Sequence, residues 1–410
     1  MARISRGVRW VLLAAILALL IIGSSAGAQG TAPVSNLAAS HVYGEQIAFT
    51  AELSTGADPS SASLTFQVNS SGNSLVIPAE VRADNTLTAV YDTGSQDNVP
   101  AFSQLTYWFT LEYEDGSRQE SDRAAYTYTD NRFTWQTLSA EERYRVHWIE
   151  GDLAFGQALL DAVLNTRGDY AKYLDLPFPE ALDMYVYPDN QVLQEALEIS
   201  NMPWAAGHAN TAENTVLTAI PTGFDQQLDI QRQIPHEITH IRLAVYMGES
   251  YDNLPAWYNE GLGSIAEQYT APSYWQLLQT AQDNDSLIPL SELCQGFPAD
   301  ASLAGLAYAQ SDSFVRYLHN RFGKAGLTSL VDAYMQGQAC ESGVQSAFGL
   351  SLDRLEADWY KATFDSGIIP RSISEVLVWA VLLVIILAGP IVLTIISARR
   401  RKGAYQNAWD

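Results

Sequence analysis

His236, Glu237 and His240 fall within five residues of the stretch QIPHEITHIRL, in a chain of 410 residues that has only six histidines. Residues four apart on a helix share a face, so the two imidazoles can converge on a single ion. Glu237 is turned by about 100° from His236, which lets its carboxylate reach a water beside that ion without becoming a ligand. Such a set predicts Zn²⁺ as the cofactor, held by two imidazoles. The carboxylate then serves as general base towards a water that the metal acidifies.

Zinc of that kind needs a third protein ligand and one open position. Twenty residues beyond His240, Glu260 stands in LPAWYNEGLGSIAEQY, a second amphipathic pattern with Trp257, Leu262 and Ile265 as core-facing residues. Glu260 is expected to complete the set. Glu267 is the rival ligand, about 20° from Glu260 on the helical wheel but some 10 Å further along the axis.

The motif HEITH, the 19 residues between His240 and Glu260, and WYNEGL around Glu260 resemble the gluzincins, the metallopeptidases of thermolysin and aminopeptidase N type. The surrounding chain, with YAQSDSFVRYLHNRFG further on, is similar to bacterial peptidase-MA-like domains over roughly residues 140–365. The resemblance implies His236, His240 and Glu260 as zinc ligands, Glu237 as general base and Asn259 as a structural neighbour. It also implies a tyrosine downstream of the third ligand as donor to the oxyanion. Tyr308 in AYAQSDSF is the candidate, against the alternative of an aromatic packed in the core at a helix start.

Three departures stand out. Thermolysin-like enzymes place an Asp four residues after the third ligand, to support a zinc histidine; here Ser264 stands there. The G-x-M-E-N element that holds a free amine in aminopeptidases is absent, which points to internal cleavage. Pro235 directly precedes His236, so a helix start or kink is expected at that point.

The remaining histidines carry less. His208, in AAGHANTAENTVLTAI, reads as a hairpin residue that either reaches the cleft or is structural; the strand TVLTAI is either an edge for an extended peptide or internal. His41, His147 and His319 have no partner cluster and read as structural.

The ends of the chain explain part of its charge. Arg3, Arg6 and Arg9, an apolar run from Trp10 to Ile22 and Ala26-Gly27-Ala28 have the layout of a secretory signal peptide over residues 1–28. Residues 376–398 form an uncharged run of 23, about 34 Å long as a helix, and Arg399-Arg400-Arg401-Lys402 follow at once. This predicts a single transmembrane helix at the cell membrane, with residues 399–410 as a cytoplasmic tail and the bulk outside. Seven of the 23 basic groups and one of the 46 acidic ones lie in these ends, leaving residues 29–375 with 16 against 45, a net charge of −29. Such a surface argues against nucleic acid as a partner. Cys294 and Cys340, the only cysteines, fall in the outer part, where a bridge is favoured over two buried thiols.

The elements that must position the site fall into two parts. Residues 29–134 read as β, with EQIAFTAEL, ASLTFQV, NTLTAVYD, QLTYWFTLEYEDG and AAYTYTD as short strands between turn residues. A sandwich of immunoglobulin or fibronectin type is expected there, without the intersheet cysteines. Residues 135–368 alternate strand and helix, then turn helical. That is an α+β domain of small mixed sheet plus helical half, as the gluzincin resemblance implies.

The expected activity is therefore extracellular, membrane-anchored zinc-dependent hydrolysis of peptide bonds in a peptide or protein substrate. A catalytically inert surface binding or adhesion protein that keeps the fold is the alternative, and hydrolysis of a non-peptide amide is a weaker third. No pattern speaks to oligomeric state.

Overall fold

The computed structural model describes residues 33–364 apart from 55, 57, 69–71, 73, 94–98, 100, 170–171 and 198–206. The expected signal peptide (1–28), transmembrane helix (376–398) and tail (399–410) lie outside the described residues. Among those described, no helix is long and apolar enough to cross a membrane. Contacts divide the chain into two compact units, one of residues 1–170, 176–248 and 266–269, the other of 171–175, 249–265 and 270–410.

The first unit opens with eight antiparallel strands: β1 (Val34–Val42), β2 (Gln46–Leu53), β3 (Ser61–Val68), β4 (Ser74–Val81), β5 (Thr86–Asp92), β6 (Ser103–Glu112), β7 (Arg118–Glu120) and β8 (Ala124–Tyr128). They pair in the order β1-β2-β5-β4-β3-β6-β7, with β8 also on β6. Buried and half-buried residues alternate strictly along β6, as a strand with one face in a core requires. The sheet is continuous, but β4 and β5 share only the pairs Glu80↔Thr88 and Val81↔Leu87. Around that joint the inner faces meet: the Phe49 ring of β2 lies 5.6 Å from Phe66 of β3 and 4.9 Å from Tyr107 of β6. Where a sandwich of separate sheets is expected from sequence, one curled sheet does the same packing.

A mixed sheet follows, made of β9 (Gln136–Ala140), β10 (Tyr144–Trp148), β11 (Leu182–Tyr187), β12 (Gly207–Asn210) and β13 (Thr215–Ala219) in the order β12-β13-β11-β10-β9. The three inner strands are parallel and the two edges antiparallel. TVLTAI is therefore internal, and the edge is the short GHAN strand folded back by the hairpin turn, where Asn214 takes a φ of 48°. Helices α1 (Leu153–Asp169), α2 (Asn190–Leu197) and α3 (Gln226–Met247) complete the unit.

The period-two pattern of the mixed sheet serves two cores. Met184, Val186, Val216 and Ile220 pack among residues of α1 and α3, while Tyr187, Leu217 and Ala219 join the core of the eight-stranded module. Phe102 stacks on Tyr185 at 3.6 Å, and Trp135 meets Tyr185 and Tyr187 edge-on at 5.2 Å each. Asp130, fully buried, holds Arg132 through both oxygens and accepts the Tyr187 hydroxyl at 3.1 Å. Module and mixed sheet share one hydrophobic core.

Pro235 stands in the middle of α3, with helix on both sides, so the helix does not start there but at Gln226. Proline lacks the N–H that would bond the carbonyl four residues back. That carbonyl, Gln231 O, instead accepts the Gln268 backbone N–H at 3.1 Å. An outside donor removes much of the usual cost of an interior proline.

The second unit is helical: α4 (Ala256–Ala266), α5 (Pro272–Asp283), α6 (Ala301–Met335), α7 (Cys340–Phe348) and α8 (Leu352–Phe364). Trp257, Leu262 and Ile265 of α4 are buried, as the periodicity predicts. Gly261 lets α4 approach α6 closely, since a Cβ there would lie 2.4 Å from Val315 and 2.7 Å from the Ser311 carbonyl. Cys294 and Cys340 are bridged. In the chain-entropy picture, closing that loop contributes on the order of 4 kcal/mol.

Candidate metal centre

Helix α3 presents His236 and His240 one turn apart, their ring centroids 5.0 Å from each other. His236, Glu237 and His240 are each at least nine-tenths buried. Burial on this scale strengthens every charge interaction at the site. The ring orientation of His236 is fixed from behind. Its Nδ1 lies 3.0 Å from Glu267 Oε1, and Glu267 Oε2 lies 3.3 Å from Arg232 Nε. A carboxylate at Nδ1 makes that nitrogen the donor, so Nε2 is the acceptor nitrogen of the ring.

Glu267 thus orients His236, a contact that Ser264 does not make, and it stands outside the group of converging donor atoms that includes Glu260. Ser264 is itself 1% exposed, with a buried hydroxyl that has no partner. Glu267→Gln is expected to weaken zinc binding by about 10- to 100-fold with the fold intact, as measured by competition with a chromophoric chelator. Affinity unchanged by the substitution would remove Glu267 from this role.

Glu260, half-buried on α4, joins the histidines. His236, His240 and Glu260 each offer a ligand atom, and these atoms all lie within 4.8 Å of one another. No other such group occurs among the described residues. Two imidazole nitrogens and one carboxylate oxygen are the donor set of a hydrolytic zinc site with an open position, so these residues fit the ion the sequence predicts. Beside Glu260, the Asn259 amide donates to the Tyr251 hydroxyl at 3.1 Å, the place of a structural neighbour.

Edge strand β12 adds two residues. Gly207 passes so close to Glu237 that a Cβ on it would lie 2.2 Å from Oε1. His208, next along, has its pKa depressed, first by burial and then by the charge of His240. Tyr308 lies within α6 rather than at its start, half-buried, with its ring edge-on to Phe297 at 5.0 Å. The other three histidines are tied into structure. His41 reaches Thr129 O at 2.7 Å, and His147 sits between Thr137 Oγ1 at 2.9 Å and Asp183 Oδ1 at 3.0 Å. His319 is edge-on to Tyr173.

Arg232, Gly207 and the supporting role of Glu267 are what sequence reasoning missed. Arg232 carried a signal, standing four residues before His236 on the same helical face. Gly207 carried none, because its meaning comes from a strand crossing a helix.

Comparison with known proteins agrees with this geometry. Residues 171–364 match the Peptidase MA superfamily. The match contains both motif helices, and the mixed α+β build of this region fits a peptidase-MA-like domain. No curated protein matches the chain. Among solved structures, a polysaccharide deacetylase from Bacillus cereus aligns at 11% identity and a TM-score of 0.21, covering 40% of this chain and 54% of that one. A family 76 glycoside hydrolase from a bovine Bacteroides thetaiotaomicron strain aligns at 10% identity and 0.21, covering 82% of this chain and 100% of that one. Cwp6 from Clostridium difficile aligns at 11% and 0.19, covering 68% and 61%. The chain spans about half the length of the deacetylase. Likenesses at these scores carry no argument about fold or activity.

Proposed function

We propose that this protein is a zinc metallopeptidase of gluzincin type that cleaves peptide bonds internally, held at the outer face of the cell membrane by its C-terminal helix. The observation that carries this reading is the grouping of His236, His240 and Glu260 within 4.8 Å, with Glu237 on the same helix as the two imidazoles. A zinc ion there would polarise the scissile carbonyl and acidify a water. Glu237 accepts the proton of the attacking water and passes it to the leaving amine. Gly207 confines the Glu237 carboxylate, Glu267 and Arg232 hold His236, and Tyr308 is the candidate donor to the developing oxyanion.

The binding-protein alternative rested on Ser264 and Pro235. Glu267 fills the supporting role that Ser264 leaves vacant, and Gln268 satisfies the carbonyl that Pro235 leaves open. Neither departure now favours an inert site.

Purified full-length protein is expected to cleave quenched peptide libraries, to lose the activity on chelation and to regain it with one equivalent of Zn²⁺. Cleavage that ignores chelation, or bound zinc with no cleavage of any peptide, would refute the assignment.

A further inference from the structure

The N-terminal β-module reads from sequence as a spacer or a binding module, yet its core runs directly under the hairpin that covers the site. Strand β13 lies between two layers. On one side Leu217 and Ala219 are part of the module's core; on the other Val216 packs with α3, and the Thr218 hydroxyl donates to Gln233 Oε1 of α3 at 2.6 Å. At the hairpin turn, Glu213 carries a buried Oε1. Burial raises the pKa of that carboxyl, and the backbone N–H of Gln104 on β6 acts in the opposite sense, which sets the turn against the module. The partner strand of the hairpin, β12, brings Gly207 up to the Glu237 carboxylate.

These contacts form an unbroken path: module core and Gln104, hairpin turn and β13, edge strand β12, carboxylate of Glu237. An edge strand of four residues, bonded on one side only, has little rigidity of its own. Its position has to be imposed, and the module is what lies behind it. We propose that the N-terminal β-module is a positioning element of the catalytic site, fixing the β12–β13 hairpin so that Gly207 confines Glu237. The catalytic consequence rests on the hydrolase reading above, whereas the structural coupling does not.

The test uses full-length protein and two substitutions at the turn. Glu213→Ala removes the group that faces Gln104, and Glu213→Gln keeps an acceptor oxygen there. Hydrogen exchange is followed at residues 207–210 and along α3, together with zinc content and, where peptide hydrolysis is found, kcat and KM. The expected result for Glu213→Ala is about tenfold faster exchange at 207–210 with α3 unchanged, a kcat lower by about tenfold with little change in KM, and full zinc content. Glu213→Gln should restore both. Leu217→Ala, which cuts the path at its centre, should act in the same direction. Wild-type exchange at 207–210 in Glu213→Ala and in folded Leu217→Ala would overturn the proposal, whatever the outcome for peptide cleavage. Loosened exchange with an unchanged kcat would overturn its catalytic part.

Discussion

Glu237→Gln is expected to lower peptide hydrolysis by about 10²- to 10⁴-fold, the contribution of a positioned general base, while zinc content should stay at one equivalent. The separation follows from geometry. Glu237 sits between the two histidines on α3 but is absent from the group whose ligand atoms lie within 4.8 Å. Glutamine keeps the length and an acceptor oxygen but cannot accept the proton of the attacking water. A rate loss accompanied by loss of zinc would show that Glu237 is a ligand, and an unchanged rate would remove it from the chemistry. His236→Ala is the companion experiment, because it should lose zinc and activity together.

Gly207→Ala is the second large effect and the less obvious one. The added Cβ would stand 2.2 Å from Glu237 Oε1 and 2.6 Å from Cδ, so something must move. The nearest atoms belong to the far end of a flexible side chain rather than to backbone, and the cheapest response is rotation of the carboxylate. The cost in stability is therefore small, while the base is displaced by about an ångström, enough for a loss of roughly 10²-fold in kcat. Circular dichroism, thermal midpoint and zinc content are expected to stay near wild type, with kcat alone reduced. A large drop in thermal midpoint would mean that the backbone had moved instead. Glu237→Gln and Gly207→Ala should combine to little more than the first alone, since both act through one carboxylate.

Much of this was legible in the residues themselves. The spacing of His236 and His240, and the burial pattern of Trp257, Leu262 and Ile265 around Glu260, follow from helical periodicity alone. Alternation in QLTYWFTLE announced β6, and ALDMYVYP announced β11. What remained hidden depends on elements distant in sequence. The partner of His236 is a glutamate 31 residues away, and the donor that makes Pro235 tolerable is a backbone N–H 33 residues beyond it. Propensity describes a residue against its neighbours and is blind to such pairings. Strand β9 escaped for a related reason: QTLSA buries no residue fully and has a single large apolar side chain, so little marks it as a strand until β10 pairs with it. Whether TVLTAI is edge or internal stayed open in the sequence, because a hairpin can be recognised from its turn, but which arm lies outermost is decided by the parallel strand on the far side.

The metal is the point on which everything else depends. X-ray absorption at the zinc edge of the purified protein reads its environment without reference to any substrate. The account predicts one zinc per chain, bound only by nitrogen and oxygen, with the multiple-scattering signature of two imidazoles that falls to one in His240→Ala. A protein that binds no stoichiometric zinc, or one whose imidazole signal is indifferent to that substitution, would contradict it.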